Sequence, residues 1–407
     1  MIKLNTIENQ LKIIFLLSLI NSSVFTAFHS SGGLRLVIAI LMNISGVMLI
    51  TYFFKRIQRN LNISLYFKII LTLLVLWSFY TVFRSIVFNG PSLITLFGHH
   101  FMGWAWLAPL AIVFGLNVKN WINLFDFFSL LLLLASIAAF GVLFYSNAIF
   151  FAILEWMAFL PIMMLAYSFQ SKKNKKILLF AIPAFLILTY FASLRVNIAL
   201  SFFIIIFLGL EYFRSSTTNL YKKVSILVTI TIIGLLVLLQ DFPAKSFDIE
   251  NKEIATDTRS FLFEELYADM SDHDLLIGRG TLGTYHSPYF EYTKEHGLSG
   301  DSPTRTSIEV GYLQIIFKGG YIMLALYLLL LLPAAYLGIF KSNNIISRMS
   351  GYLVLAYLLL WSISYYPVYS PKFILLWMAA GTAISRTTRS LSNQDLLSIK
   401  NEIYETR

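Results

Sequence analysis

Five arginines carry most of the chemical promise in an otherwise oily chain: Arg84, Arg195, Arg259, Arg279 and Arg305. A guanidinium is planar, charged at any working pH and matched to pairs of phosphate oxygens, so arginines gathered in one place suit a phosphate or diphosphate anion. Each one alone has a plainer use, snorkelling to a membrane surface or pairing with a carboxylate. Arg195, in Ser193-Leu194-Arg195-Val196-Asn197, asks the most, because it ends an apolar run with no acid near it in sequence.

Other chemistry-bearing residues cluster in the same part of the chain. Gly278, Gly280 and Gly283 spell G-x-G-x-x-G. In a dinucleotide-binding unit that pattern follows a strand and opens a helix; here its flanks are a helical pattern and a tyrosine-rich stretch, so a tight turn with positive-φ glycines is the better reading. The six histidines, His29, His99, His100, His273, His286 and His296, match no standard metal-ligand spacing, which leaves them solvated or in contact with a polar substrate. Tyr285, Tyr289, Tyr292 and Tyr312 offer an apolar ring and a polar tip, suited equally to sugar faces and to a membrane interface.

The elements that must position these groups follow from composition. The 407 residues are 57% hydrophobic and only 13% charged, with a mean hydropathy of +0.73, more apolar surface than a soluble domain can bury. A bilayer core about 30 Å thick needs roughly 20 apolar residues per helical span. Candidate spans lie near 12–29, 35–54, 68–88, 103–117, 121–145, 150–169, 177–194, 197–213, 224–240, 308–340, 351–369 and 372–385. The chain reads as an all-α polytopic membrane protein of about twelve transmembrane helices. The first span lacks a small-residue cleavage site and is expected to remain as an uncleaved helix.

Alternating crossings from a cytoplasmic amino terminus put 20 of the 31 lysines and arginines on the amino-terminal side and 11 on the other. That bias predicts both termini in the cytoplasm and explains the net charge of +10 without a nucleic-acid partner. The organisation is then transmembrane helices over 1–240, one long external loop over 241–307, further transmembrane helices over 308–385 and a cytoplasmic tail over 386–407. Cysteine is absent, so packing must order the loop. Within it, residues 259–270 place Leu262, Phe263, Leu266, Tyr267 and Met270 on one helical face, predicting an amphipathic helix that lies on the membrane or docks on the spans.

The order of these features resembles the polytopic O-antigen and capsular polysaccharide repeat-unit polymerases and the related O-antigen ligases. The resemblance rests on the short Ser193-Leu194-Arg195 turn between spans, then TDTRSFLFEEL, LLIGRGTLGTY and TSIEVGYLQIIFKGG. It implies a membrane-embedded, metal-independent glycosyltransferase of the class C architecture, acting at the outer face of the cytoplasmic (inner) membrane on undecaprenyl-diphosphate-linked glycans. By it Arg195 and Arg259 hold the diphosphate, with Arg84, Arg279, Arg305, His286 and Tyr312 as further substrate contacts. Membrane lipids are expected partners, a chain-length regulator is a further one, and no cofactor or metal is expected. Ligases of this kind carry a histidine where Glu309 stands, which favours a polymerase. Glu309 would take the proton of the attacking hydroxyl; its plainer role is an ion pair with Arg305 or another arginine. The rivals are a ligase and a flippase, and a flippase is expected to show related halves and short external loops.

Overall fold

The computed structural model describes residues 7–28, 32–57, 63–89, 102–142, 153–191, 195–215, 260–295, 302–362 and 368–405. The expected span near 224–240, the side chain of Arg195, all of Arg259, and His29, His99, His100 and His296 lie outside what is described. The architecture is all-α. The long helices of the first half are α1 (Ile7–Phe28), α2 (Gly32–Ile57) and α3 (Leu65–Asn89). The short α4 (Met102–Leu107) and α5 (Ile112–Gly115) flank a 3-10 turn at Ala108–Ala111, and α6 (Val118–Val142) follows. Next come the short α7 (Leu160–Leu165), then α8 (Lys172–Phe191) and α9 (Arg195–Ser215).

Two expected continuous spans are broken. In 103–117 and 150–169 the helix tightens to 3-10 geometry near Pro109 and Pro161, prolines that lack the N–H a continuous helix needs.

The next described segment folds into α10 (Ser260–Asp269), α11 (Asp272–Ile277), the strand β1 (Tyr285–His286), α12 (Pro288–Glu295) and the strand β2 (Thr304–Arg305). It leads into α13 (Gly311–Phe340), after which α14 (Ile345–Leu360), α15 (Pro371–Ile384), the short α16 (Arg386–Ser390) and α17 (Asn393–Glu405) complete the chain.

Among the described residues, three helices are long and apolar enough to cross a membrane, over Leu65–Ser85, Val118–Ala139 and Gly311–Phe340. Shorter apolar helices run over Asn9–Ile20, Trp104–Gly115, Ile153–Leu165, Ile345–Leu360 and Pro371–Ile384. On α3 most of the exposed residues are apolar: Leu65, Ile69, Leu73, Leu76, Tyr80 and Phe83 recur at three- and four-residue steps and face outward, with Lys68 and Thr72 exposed only near the helix start. A water-facing helix would carry its polar stripe there, so this face suits hydrocarbon. Inside, Phe128 stacks on Phe159 at 4.2 Å with Phe15 edge-on to Phe128 at 5.3 Å, and Trp121 donates to Thr382 Oγ1 at 2.6 Å.

The expected span 308–340 holds a surprise. Gly320 has φ 74° and ψ 178°, so α13 is two helices, 311–319 and 321–340, meeting at a break. The second half alone, at about 1.5 Å per residue, has the length of a bilayer core. The first half is a separate short platform.

Candidate functional site

The platform explains the three glycines. Ser271 caps α11 by accepting from the Asp274 amide at 3.2 Å, and the helix ends where Gly278 turns to φ 76°. The chain then runs straight onto the break in α13. A helix that stops leaves its last carbonyls without partners. Here Phe317 O accepts from the Arg279 amide at 2.8 Å, Lys318 O from the Gly280 amide at 2.9 Å, and Gly319 O from Trp77 Nε1 at 2.7 Å. The two backbones are so close that a Cβ on Gly278 would stand 2.2 Å from Lys318 O, and one on Gly320 would stand 2.2 Å from Leu276 O. On the other side the Thr281 amide donates to Thr81 O at 3.1 Å and the Leu282 amide to Ser85 Oγ at 2.9 Å, which ties the turn to α3. Lys318, fully buried, closes the knot by donating from Nζ to Gly283 O at 2.7 Å.

Two of the five arginines belong to this knot. Arg84 and Arg279 approach the two oxygens of one carboxylate, Asp274, each at 3.1 Å. Arg279 also pairs with Asp269 and donates to Thr284 O at 2.8 Å. Burial opposes its charge, but Asp269 and Asp274 more than offset that and hold its pKa above the usual arginine value. Both guanidinium groups are thus occupied by carboxylates and brace the turn against α3 and α10.

A second cluster lies on the other flank of the platform. Leu262 and Leu266 of α10, with Met270 just after it, pack with Tyr285, Ile308, Val310, Leu313 and Phe317 in a small core of their own. The helical face is narrower than the spacing predicts, because Phe263 and Tyr267 stay exposed. β1 pairs antiparallel with β2, setting Tyr285 opposite Arg305 and His286 opposite Thr304. The Arg305 guanidinium lies over the Phe290 ring at 4.5 Å. Glu265 accepts from Ser287 Oγ at 2.8 Å and from the Tyr289 amide at 3.0 Å, fixing the start of α12.

Tyr285 reports the electrostatics of this flank. Burial pushes its phenol up to about 12; the nearby charge of Arg305 opposes the shift, and Glu265 and Glu309 add to it. Arg305 and Glu309 therefore act on the same hydroxyl from opposite signs. Among the described residues no carboxylate forms an ion pair with Arg305, and Glu309 is exposed and unpaired, so the Glu309–Arg305 bridge that sequence allows is not formed. Tyr312 donates its hydroxyl to Leu358 O at 2.7 Å and sets its ring edge-on to Trp361, which anchors the platform to α14. His286 Nε2 lies 3.0 Å from Glu291 on the exposed edge.

The structure thus gathers Arg84 with Arg279 around Asp274, and Arg305 with Glu309 around Tyr285. Arg195 heads α9, and Arg259 falls just before α10. Sequence reasoning singled out neither Asp274, Asp269 and Glu265 as partners nor Lys318; the signal for the last was a lysine beside two glycines in an apolar run, Ile315-Ile316-Phe317-Lys318-Gly319-Gly320. No protein-family model, curated protein or solved structure matches this chain.

Proposed function

We propose that this protein is a metal-independent glycosyltransferase of the cytoplasmic membrane that joins undecaprenyl-diphosphate-linked repeat units into a surface polysaccharide. The observation that carries the reading is the pair Arg305 and Glu309: opposite charges, neither taken up by an ion pair among the described residues, acting on one buried phenol on a loop braced against a membrane-length helix. In the reaction an acceptor hydroxyl attacks the sugar C1, the bond from C1 to the diphosphate oxygen breaks with its electron pair staying on the diphosphate, and Glu309 takes the hydroxyl proton. Arg305, with Arg195 and Arg259, stabilises the charge gathering on the leaving group. Arg84 and Arg279 serve at one remove, holding the turn.

The alternating topology with both termini in the cytoplasm is part of this proposal. Two ion pairs support it, Arg348 with Glu211 (Nε to Oε1 2.8 Å) and Lys372 with Glu155 (2.8 Å), because each joins helix ends that the alternation assigns to one face. The test is a deletion strain complemented with the wild-type chain, Arg195→Ala, Arg259→Ala, Arg305→Ala and Glu309→Gln, with surface glycan resolved on a gel. Single-repeat product from the deletion and the variants supports a polymerase. Lipid-linked polymer that never reaches its acceptor indicates a ligase, and precursor trapped inside the cell indicates a flippase. Long chains from every variant overturn the site.

A further inference from the structure

A second polar site lies where α6, α8 and α17 meet, around a cavity of about 350 Å³. Its lining joins Lys173, Asp126 and Asn174 to the apolar Leu130, Leu133 and Ile177. Ser129 also lines it; the residue is 2% exposed and its hydroxyl has no hydrogen-bond partner among the described residues. A buried hydroxyl left unsatisfied costs roughly 1–3 kcal/mol, so one aimed into a cavity marks where an acceptor from outside the chain fits.

The charges define that acceptor's owner. Asp126 is already engaged, accepting from Asn174 Nδ2 at 3.1 Å and from the Tyr404 hydroxyl at 2.8 Å, with Lys400 within electrostatic reach. Lys173 forms no ion pair among the described residues. It opens α8 beside Lys172, Lys175 and Lys176, with no acid in that first turn. A helix amino terminus with lysines on it attracts phosphate. The apolar part of the lining continues through Leu130 onto a stripe of exposed apolar residues on α6, Leu130, Leu134 and Ile137, each about half exposed. The occupant must therefore join an anionic phosphate, an oxygen acceptor a turn deeper and a hydrocarbon chain.

We propose that this cavity binds an anionic glycerophospholipid. Its phosphate sits at Lys173 and the first turn of α8, an ester carbonyl accepts from the Ser129 hydroxyl, and an acyl chain follows Leu130, Leu133 and Ile177 onto the outer face of α6. Tyr404, near the end of α17, stands beside the headgroup and couples the carboxy-terminal helix to its presence.

Native mass spectrometry of the full-length protein, delipidated in mild detergent, tests this with phosphatidylglycerol, phosphatidylethanolamine of the same acyl chains, and inorganic phosphate as competitor. The wild-type chain should retain one phosphatidylglycerol under conditions that strip phosphatidylethanolamine. Lys173→Glu and the cavity-filling Ser129→Leu should each lower its occupancy about tenfold, the loss of roughly one charge-assisted contact. Ser129→Ala, which removes a hydroxyl that bonds nothing in the protein and so preserves the fold, should lower it several-fold and decides the matter if the larger changes fail to fold. Equal retention of the two lipids, or full retention by Ser129→Ala, overturns the proposal. Displacement of the lipid by millimolar phosphate assigns a free-anion site and overturns the lipid reading.

Discussion

Replacing Gly320 by alanine should unlock the glycine turn at 278–283 from α13. The cost has two parts. At φ 74° and ψ 178° an alanine occupies a region that is essentially glycine's alone, about 1–3 kcal/mol of strain. Its Cβ would also stand 2.2 Å from Leu276 O and 2.5 Å from the Ile277 amide nitrogen, so the α11 backbone must retreat. That retreat stretches the bonds from the Arg279 and Gly280 amides to Phe317 O and Lys318 O, about 1 kcal/mol each. A total near 3–5 kcal/mol corresponds to at least a hundredfold rise in the open population. Hydrogen exchange read by mass spectrometry on peptides covering 278–284, in detergent or nanodiscs, measures this directly. The amides of Arg279 and Gly280 should exchange at least a hundredfold faster in Gly320→Ala, while peptides from α6 should be unchanged. Unaltered exchange across the turn would show that the two backbones are not locked as described.

Asp274→Ala removes the carboxylate that Arg84 and Arg279 share, Arg279 keeping Asp269, and should cost about 1–3 kcal/mol, less than a deeply buried triad because Asp274 keeps 21% of its side-chain surface; a thermal melt reads it, and a loss no larger than for Asp272→Ala, an exposed neighbour, would argue against the shared bridge. Leu266→Ala should cost about 2–4 kcal/mol by opening a cavity in the small core, whereas Phe263→Ser should stay within about 0.5 kcal/mol; equal costs would contradict the narrow face of α10. The Tyr285 phenol, raised by burial from 10.0 to about 12, makes a stability contribution that is complete below pH 10 and lost as pH rises towards 12, because the unfolded chain releases that proton first. Melts at pH 9 and pH 11.5 should therefore differ less for Tyr285→Phe than for the wild-type chain, and identical differences would remove Tyr285 from the buried cluster.

Most of the helical scaffold is legible in the sequence because hydrophobic runs of bilayer length have few other uses. The ends of α3, α6 and α15 fall within a few residues of where hydropathy puts them. The break in α13 was hidden for the same reason, since Ile315 to Leu332 stays apolar through Gly319-Gly320 and hydropathy does not register a reversal of φ. The face of α10 was half legible: the four-residue steps from Leu262 to Met270 are buried, but the neighbouring Phe263 and Tyr267 are not, because the platform covers only a narrow stripe. The arginines show a different limit. Their type and location could be read, but Arg84 and Asp274 lie 190 positions apart, so no local pattern reveals that they meet. Two residues that sequence chemistry nominates for substrate are engaged in that pairing, whereas among the described residues Arg305 and Glu309 form no ion pair.

The borrowed donors at the end of residues 311–319 also constrain how the molecule is assembled. Carbonyls of Phe317, Lys318 and Gly319 left bare in an apolar layer would cost several kcal/mol each, so that half-helix cannot settle before residues 279–280 and Trp77 are in place. Synthesis runs from amino to carboxyl terminus and delivers both donors first. A ribosome thus hands the last helices a finished socket, and a graft that moved the socket downstream of its plug would strand the plug in the lipid.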